Sequence, residues 1–242
     1  MLYHDIAMLL ALAAILAGAV AAISGFGIGS ILTPLLAREI GMKLAVAAVS
    51  IPHLAGTALR FWKLRAKVDR PTLKSFGAAS AGGGLAGALL NSVAGNRALE
   101  VTLGVLLVFA GATGLTGVAD RMRFGRRAGA IAGAASGLLG GLVGNQGGIR
   151  SAALLGFDLS RESFVATATA IALIIDGVRM PVYLTKSGGD ILSIWPRVAI
   201  AAAGVLVGTL AGQRVLGRIP ETIFRRIVGT LILSLGISML AR

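Results

Sequence analysis

Stretches of about 20 apolar residues recur along this chain, and no other feature constrains its fold so tightly. Residues 6–24, IAMLLALAAILAGAVAAIS, carry no charge at all. A helix needs about 20 such residues to cross the ~30 Å hydrocarbon core of a bilayer. Within that core every backbone N–H and C=O must find its partner inside the protein, which limits spanning chains to helices and closed barrels. Apolar helical segments are expected at about 6–24, 44–62, 75–93, 98–119, 128–143, 163–184, 197–213 and 223–240. Two shorter pieces, 28–40 and 147–157, follow the first and fifth segments after glycine-rich breaks. At ~1.5 Å per residue they reach only ~16–20 Å, too little to span comfortably. Each reads as the returning arm of a re-entrant or broken-helix hairpin. The expected fold is an all-α polytopic membrane protein of about eight spans plus these two arms.

Composition points the same way. Of the 242 residues, 56% are hydrophobic and 14% charged, with a mean hydropathy of +0.86; soluble domains carry about 25% charged residues. Residues 6–24 lack a basic leading segment and precede further spans, so they read as a membrane helix and not as a cleaved signal. The longest polar stretch, residues 63–74, is expected to be a loop, which leaves no soluble domain. A net charge of +13 would suit a nucleic-acid partner, but the basic residues cluster between apolar spans, as positive-inside topology requires. The expected partner is therefore the lipid bilayer, with no nucleic acid. Absence of cysteine excludes disulfides, thiolate metal sites and thiol nucleophiles. No metal and no cofactor is expected. The 35 glycines suit close helix packing and broken helices in lipid.

The two halves resemble each other. "SGFGIGSILTPLL" (24–36) aligns with "VGNQGGIRSAALL" (143–155) at an offset of 119, pairing Gly25 with Gly144 and Gly29 with Gly148. The same offset pairs Arg60 with Arg179 and Thr57 with Asp176. With small insertions, "GGLAGALL" (83–90) meets "GVLVGTLA" (204–211), and "LGVLLVFAG" (103–111) meets "VGTLILSLG" (228–236). The shared order of a break, a short arm and three further spans outweighs any single identity. The division expected is a first transmembrane repeat at 1–119 and a second at 120–242.

Loop charge orients the halves. Residues 60–74 hold six basic and one acidic residue, 120–127 four and one, and 214–226 four and one. The loops expected at 91–100 and 185–190 hold one of each. If each glycine-broken pair returns to the side it left, all three basic clusters are cytoplasmic and both balanced loops lie outside. Each half then crosses an odd number of times, so the halves have opposite orientation. That is an inverted-topology repeat, a common transporter architecture.

The breaks carry the chemistry. A helix that starts inside a membrane leaves its first N–H groups without intrahelical acceptors. Those donors and the positive end of the helix dipole form an anion site if water or substrate reaches them. Both halves place such a start at their break, at Gly25–Ser30 and Gly144–Ile149. The candidate substrate residues are Ser24, Gly25, Gly27, Gly29 and Ser30 in the first half. In the second they are Gly144, Asn145, Gln146, Gly147, Gly148, Arg150 and Ser151. The amides and hydroxyls supply hydrogen bonds suited to oxyanion oxygens. Arg150 lies in the first turn of its short helix, where a cation opposes the dipole. A bound anion, or a carboxylate such as Asp176, would relieve it.

Asp176 sits in "ALIIDGVRMPVY" with Arg179 at i+3, so the two can pair on one helix face. An intramembrane carboxylate is a functional candidate by default. Thr57, Asp176 and Arg179 are accordingly the coupling or gating candidates, with protons as the coupling ion. Arg60 is expected to snorkel to the interface, and His53, alone on an apolar helix, to be a packed neutral imidazole. Pro34, Pro52 and Pro181 read as local bends.

At these motifs the chain resembles the sulfite exporter TauE/SafE family. "GFGIGSILTPLL" fits the first of that family's two glycine-rich motifs, with Pro34 in place. "GNQGGIRSAALL", followed by "LSRESFVATATAIALIIDGVRMPVY", resembles a branch with Gln-Gly and Arg-Ser in the second motif, where Ala153 stands at the position matching Pro34. The resemblance covers essentially the whole chain. It implies movement of small organic or inorganic anions, often sulfur-containing ones such as sulfite or sulfoacetate, across the cytoplasmic membrane. The leading expectation is a secondary transporter that holds a small anionic substrate at the paired breaks. A passive anion channel is the alternative, followed by a non-transporting accessory subunit; an oligomer is compatible with each. No Walker sequence is present, and two isolated histidines with few carboxylates argue against an enzyme.

Overall fold

A computed structural model describes residues 2–118, 126–145, 147–154, 157, 159–216 and 220–241. Among them every regular element is a helix. In chain order these are α1 (Leu2–Ser24), α2 (Ile28–Ile40), α3 (Met42–Leu64), α4 (Arg70–Val93), α5 (Asn96–Thr116), α6 (Arg126–Val143), α7 (Gly147–Leu154), α8 (Arg161–Ser193), α9 (Trp195–Leu216) and α10 (Glu221–Leu240). One 3-10 turn at Arg65–Lys67 joins α3 to α4, and Asp69 caps α4 by accepting from the Thr72 N–H at 2.9 Å.

The solvent pattern of a soluble protein is reversed. Val93 and Ile131 are 79% and 75% exposed, while Arg150, Asp176 and Arg179 are at most 1% exposed. Apolar side chains face outward to lipid, and charge is held inside, as expected for a membrane bundle.

Six helices among the described residues are long and apolar enough to cross a membrane, against the eight expected. The two that fall short are α4 and α6, both glycine-rich. They pack against each other so closely that a methyl added at Gly83, Gly87, Gly137 or Gly141 would strike the facing carbonyl of Ala134, Leu138, Ser80 or Gly84. Helix α6 falls short by length alone, its described apolar stretch being Gly129–Val143. Helix α4 is long enough but less apolar, with glycine faces given to backbone contact, the small-residue packing of membrane helices. A second tight pair joins α1 to α9, where a methyl at Gly18 or Gly208 would strike the carbonyl of Val205 or Ile15. In both pairs contacting residue numbers rise together, so the partners run parallel. In α5 against α10 they run opposite: Gly104 faces Leu240, and Gly111 faces Leu233.

Helix runs into the loops expected at 63–74 and 91–100, leaving only 65–69 and 94–95 outside α-helix, and a third expected loop is not a loop at all. Residues 185–190 lie within α8, whose 33 residues at ~1.5 Å each make a helix of ~50 Å, longer than a bilayer core. Gly188 and Gly189 within this stretch both face open space, and nothing forces the chain to turn there. Most of the 120–127 cluster lies outside the described residues.

Candidate functional site

The two breaks meet. After α1 the chain passes through Gly25 (φ 78°) and Gly27 (φ 129°), left-handed conformations that a side chain disfavours. After α6 it passes through Gly144 (φ 71°). The turns lie against each other, so that a methyl on Gly29 would strike the Gly144 carbonyl and one on Gly147 would strike the Phe26 side chain. No side chain caps α2 at Gly27. Its first intrahelical bond runs from the Ile31 N–H to the Gly27 carbonyl at 3.0 Å, so the three preceding N–H groups have no acceptor within the helix.

Between the turns is a small polar cavity with about 10 Å³ of space, room for about one water molecule. Seven of the expected residues line it: Gly27, Gly29, Ser30, Gly144, Asn145, Gly147 and Arg150. Phe26 and His53 line it too, and neither was expected. Ser24 is elsewhere engaged, its hydroxyl set against the Val20 and Phe26 carbonyls at 2.9 and 2.7 Å. Gly25 and Ser151 are not among the lining residues; Gly148 belongs to α7, and Gln146 lies outside the described residues.

Arg150 reaches out of its own helix to donate from Nη2 to the Gly25 carbonyl at 3.2 Å. That carbonyl lies just past the C-terminal end of α1, where a cation is favourable, which offsets the unfavourable position in the first turn of α7. Asp176 is not its hydrogen-bond partner. Among the described residues, the guanidinium Nε and Nη1 are buried without any hydrogen-bond partner, as is Asn145 Nδ2. Two cavity-lining side chains thus present five N–H bonds on three nitrogens with no acceptor among the described residues.

Behind the cavity α3 packs on α8 and holds a buried charge network. Arg179 donates to Asp176 Oδ1 from Nη2 at 2.7 Å and from Nε at 3.0 Å, as the i+3 spacing predicts. The other carboxylate oxygen, Oδ2, lies 2.7 Å from His53 Nδ1. Thr57 Oγ1 lies 3.4 Å from the same nitrogen and accepts from Arg60 Nη2 at 3.2 Å. His53 is therefore a partner of Asp176 and not an isolated imidazole. Arg60 is 4% exposed with Nε and Nη1 unbonded, buried in the bundle and not snorkelling. The offset of 119 aligns Thr57 with Asp176, and the structure packs their helices α3 and α8 together, with His53 one turn before Thr57.

Side chains from other helices also satisfy the broken end of α6. Arg179 Nη1 donates to the Gly140 carbonyl at 2.7 Å, Asn91 Nδ2 to that of Leu142 at 2.8 Å, and the Tyr183 hydroxyl to that of Gly141. A helix end inside a membrane requires such partners. The missing helical turn is replaced by α4 and α8.

Residues 10–239 match the family described as sulfite exporter TauE/SafE. The chain belongs to that family. Membership and the six apolar helices make it a multi-pass membrane protein of an anion-transport family. No curated protein and no solved structure matches it. The glycine-rich motifs that carried the resemblance are the two turns that meet at the cavity.

Proposed function

We propose that the protein is a secondary transporter of a small anion, sulfur-containing or organic, with the cavity between the two breaks as its substrate site. One observation carries the proposal: Arg150, fully buried beside the cavity, keeps Nε and Nη1 without partners. A guanidinium removed from water and left half-bonded is a costly arrangement unless an acceptor arrives. The surroundings favour an anion as that acceptor. Three buried arginines (Arg60, Arg150 and Arg179) share a single buried carboxylate, Asp176, among the described residues. Asn145 and the uncapped start of α2 add uncharged donors.

The packing supports a reading of two inverted repeats, 1–119 and 120–242, with α4 and α6 as further crossings. Under the offset of 119, α1, α3, α4 and α5 correspond to α6, α8, α9 and α10. The α1–α9 contact then mirrors α6–α4, α3–α9 mirrors α8–α4, and α5–α10 and α3–α8 each map onto themselves. The cavity has room for about one water molecule, so in this reading the turns part when a substrate enters. That favours alternating access over an open channel. Thr57, Asp176 and Arg179 sit behind the site, where they can sense its occupancy. The cytoplasmic membrane is the location this reading implies.

A thermal-shift panel of sulfite, sulfate, thiosulfate, sulfonates and carboxylates on detergent-purified protein tests the site, since a ligand of the folded state raises its melting temperature. At least one oxyanion should stabilise the wild type and lose that effect in Arg150→Ala. Equal stabilisation of both proteins would move the site elsewhere.

A further inference from the structure

Among the described residues, His53 is the side chain that both lines the cavity and contacts the buried carboxylate. We propose that His53 carries the transported proton. It binds a proton and the anion at one station, so that the two cross the membrane in the same direction. The inference rests on the anion-cavity reading above and assigns that site its coupling group.

The argument begins with the ring's two nitrogens. A carboxylate only accepts, so the Nδ1 that lies 2.7 Å from Asp176 Oδ2 carries the hydrogen. In the neutral ring the lone pair then sits on Nε2. Nε2 has no hydrogen-bond partner among the described residues, and the ring forms part of the cavity wall. A neutral His53 in the cavity wall therefore offers an incoming anion no charge, and its unprotonated Nε2 offers no donor. Protonated at Nε2, the same ring offers an N–H donor and a positive charge. Anion and proton each raise the other's affinity by the same factor, because coupling between two binding equilibria is reciprocal.

Asp176 is the weaker candidate for the moving proton. Oδ1 takes two bonds from Arg179, and Oδ2 is held by His53. Protonating that carboxylate would leave Arg179, which cannot release its own proton, buried without a counter-charge. Asp176 is better suited to stay ionised, fixing the tautomer of His53 and balancing the imidazolium when it forms.

The groups facing His53 agree with this assignment. From α8 it meets Asp176 and, through it, Arg179; from α7, Arg150 lines the same cavity. On α3 itself, Thr57 and Arg60 follow along the same face. The other helices packed on α3 carry their charges near their ends: Arg38 and Glu39 on α2, Arg97 and Glu100 on α5, Arg197 and Arg214 on α9. The proton enters Nε2 from the aqueous side to which the cavity is open. It leaves the same atom with the anion on the other side, and no other group need change its charge.

The test is the pH dependence of sulfite affinity on detergent-purified protein, measured by calorimetry between about pH 5.5 and 8, the range in which an imidazole titrates. Sulfite itself exchanges a proton near neutral pH, so the quantity read is the difference in slope between wild type and His53→Gln, from which the ligand's own titration cancels. Wild type should tighten more steeply as pH falls, by up to about tenfold per pH unit for one coupled proton. His53→Gln should lose that excess while still binding sulfite. Parallel slopes overturn the proposal, because a His53 that merely positioned Asp176 would shift affinity equally at every pH. Should His53→Gln fail to fold, His53→Asn is the second variant. Proton uptake by wild type, beyond that due to sulfite, is then the second measurement, and zero uptake overturns the proposal. A wild type that binds neither sulfite nor any other anion of the thermal-shift panel at any pH overturns the cavity reading along with it. Binding that depends on Arg150 but shows parallel slopes overturns His53 alone.

Discussion

At the scale of single residues, the buried charges divide into a pair that is satisfied and others that are not. Asp176 uses both oxygens on Arg179 and His53, so Asp176→Asn leaves a buried guanidinium without its counter-charge. Breaking a buried pair in this way costs about 3–5 kcal/mol, which should appear as a large drop in melting temperature in detergent. Arg150 holds a single carbonyl, so Arg150→Ala should leave the fold within about 1 kcal/mol of wild type. Its loss should appear in anion affinity, about 10- to 100-fold, the worth of one or two charge-assisted hydrogen bonds. Equal melting losses in the two variants would mean that Arg150 is structural. The sequence made Arg150 and Asp176 conspicuous as charges in apolar surroundings, and the i+3 spacing made Arg179 a partner. His53 was not legible by itself, because nothing in α3 says which of its faces meets α8. The contact joins residues 123 positions apart and follows from packing.

At the scale of elements, hydropathy located most helices but did not distinguish those facing lipid from those facing each other. The short arms α2 and α7 were legible because glycine breaks and too few apolar residues force them to be short. Both α4 and α6 were located as apolar segments, but their close contact was not legible, since a helix whose glycines touch a neighbour's backbone looks like any other glycine-rich span. Two glycines on α4 separate these roles. A methyl at Gly87 would strike the Leu138 carbonyl, whereas Gly82 faces open space. Gly87→Ala should therefore push α4 from α6 and destabilise by about 1–3 kcal/mol, as overpacking does. Gly82→Ala should be neutral or raise stability by up to about 1 kcal/mol through helix propensity. Thermal unfolding of the two variants side by side checks this. Loss of stability in both would point to a general intolerance of α4, not to the contact with α6.

At the scale of the whole molecule, loop charge suggests which ends share a side, and contacts between helix ends show which ends lie together in the bundle. At one end, the Lys43 N–H donates to Asn96 Oδ1 at 2.9 Å, Arg197 lies 3.6 Å from Glu39, and Arg38 Nη2 donates to Ser238 at 3.0 Å. These ties bring together the close of α2, the starts of α3, α5 and α9, and the close of α10. At the opposite end, Lys67 pairs with Glu162 at 3.1 Å and the Asp69 N–H donates to Thr167 at 2.9 Å, so α8 begins beside the α3–α4 turn. Lys186 is 24 residues beyond Glu162 on the same helix, about 36 Å along, more than one hydrocarbon thickness. If α8 crosses the membrane, Lys67 and Lys186 lie on opposite sides, and the positive-inside rule predicts the Lys67 side to be cytoplasmic. Because the chain has no cysteine, one engineered thiol reports one position. In intact cells Lys186→Cys should react with an impermeant maleimide added outside, while Lys67→Cys and Arg226→Cys should react only after permeabilisation. External labelling at Lys67 with protection at Lys186 would invert the assembly. Labelling of both from outside would mean that α8 does not cross at all, and the two breaks could not then be reached from opposite sides.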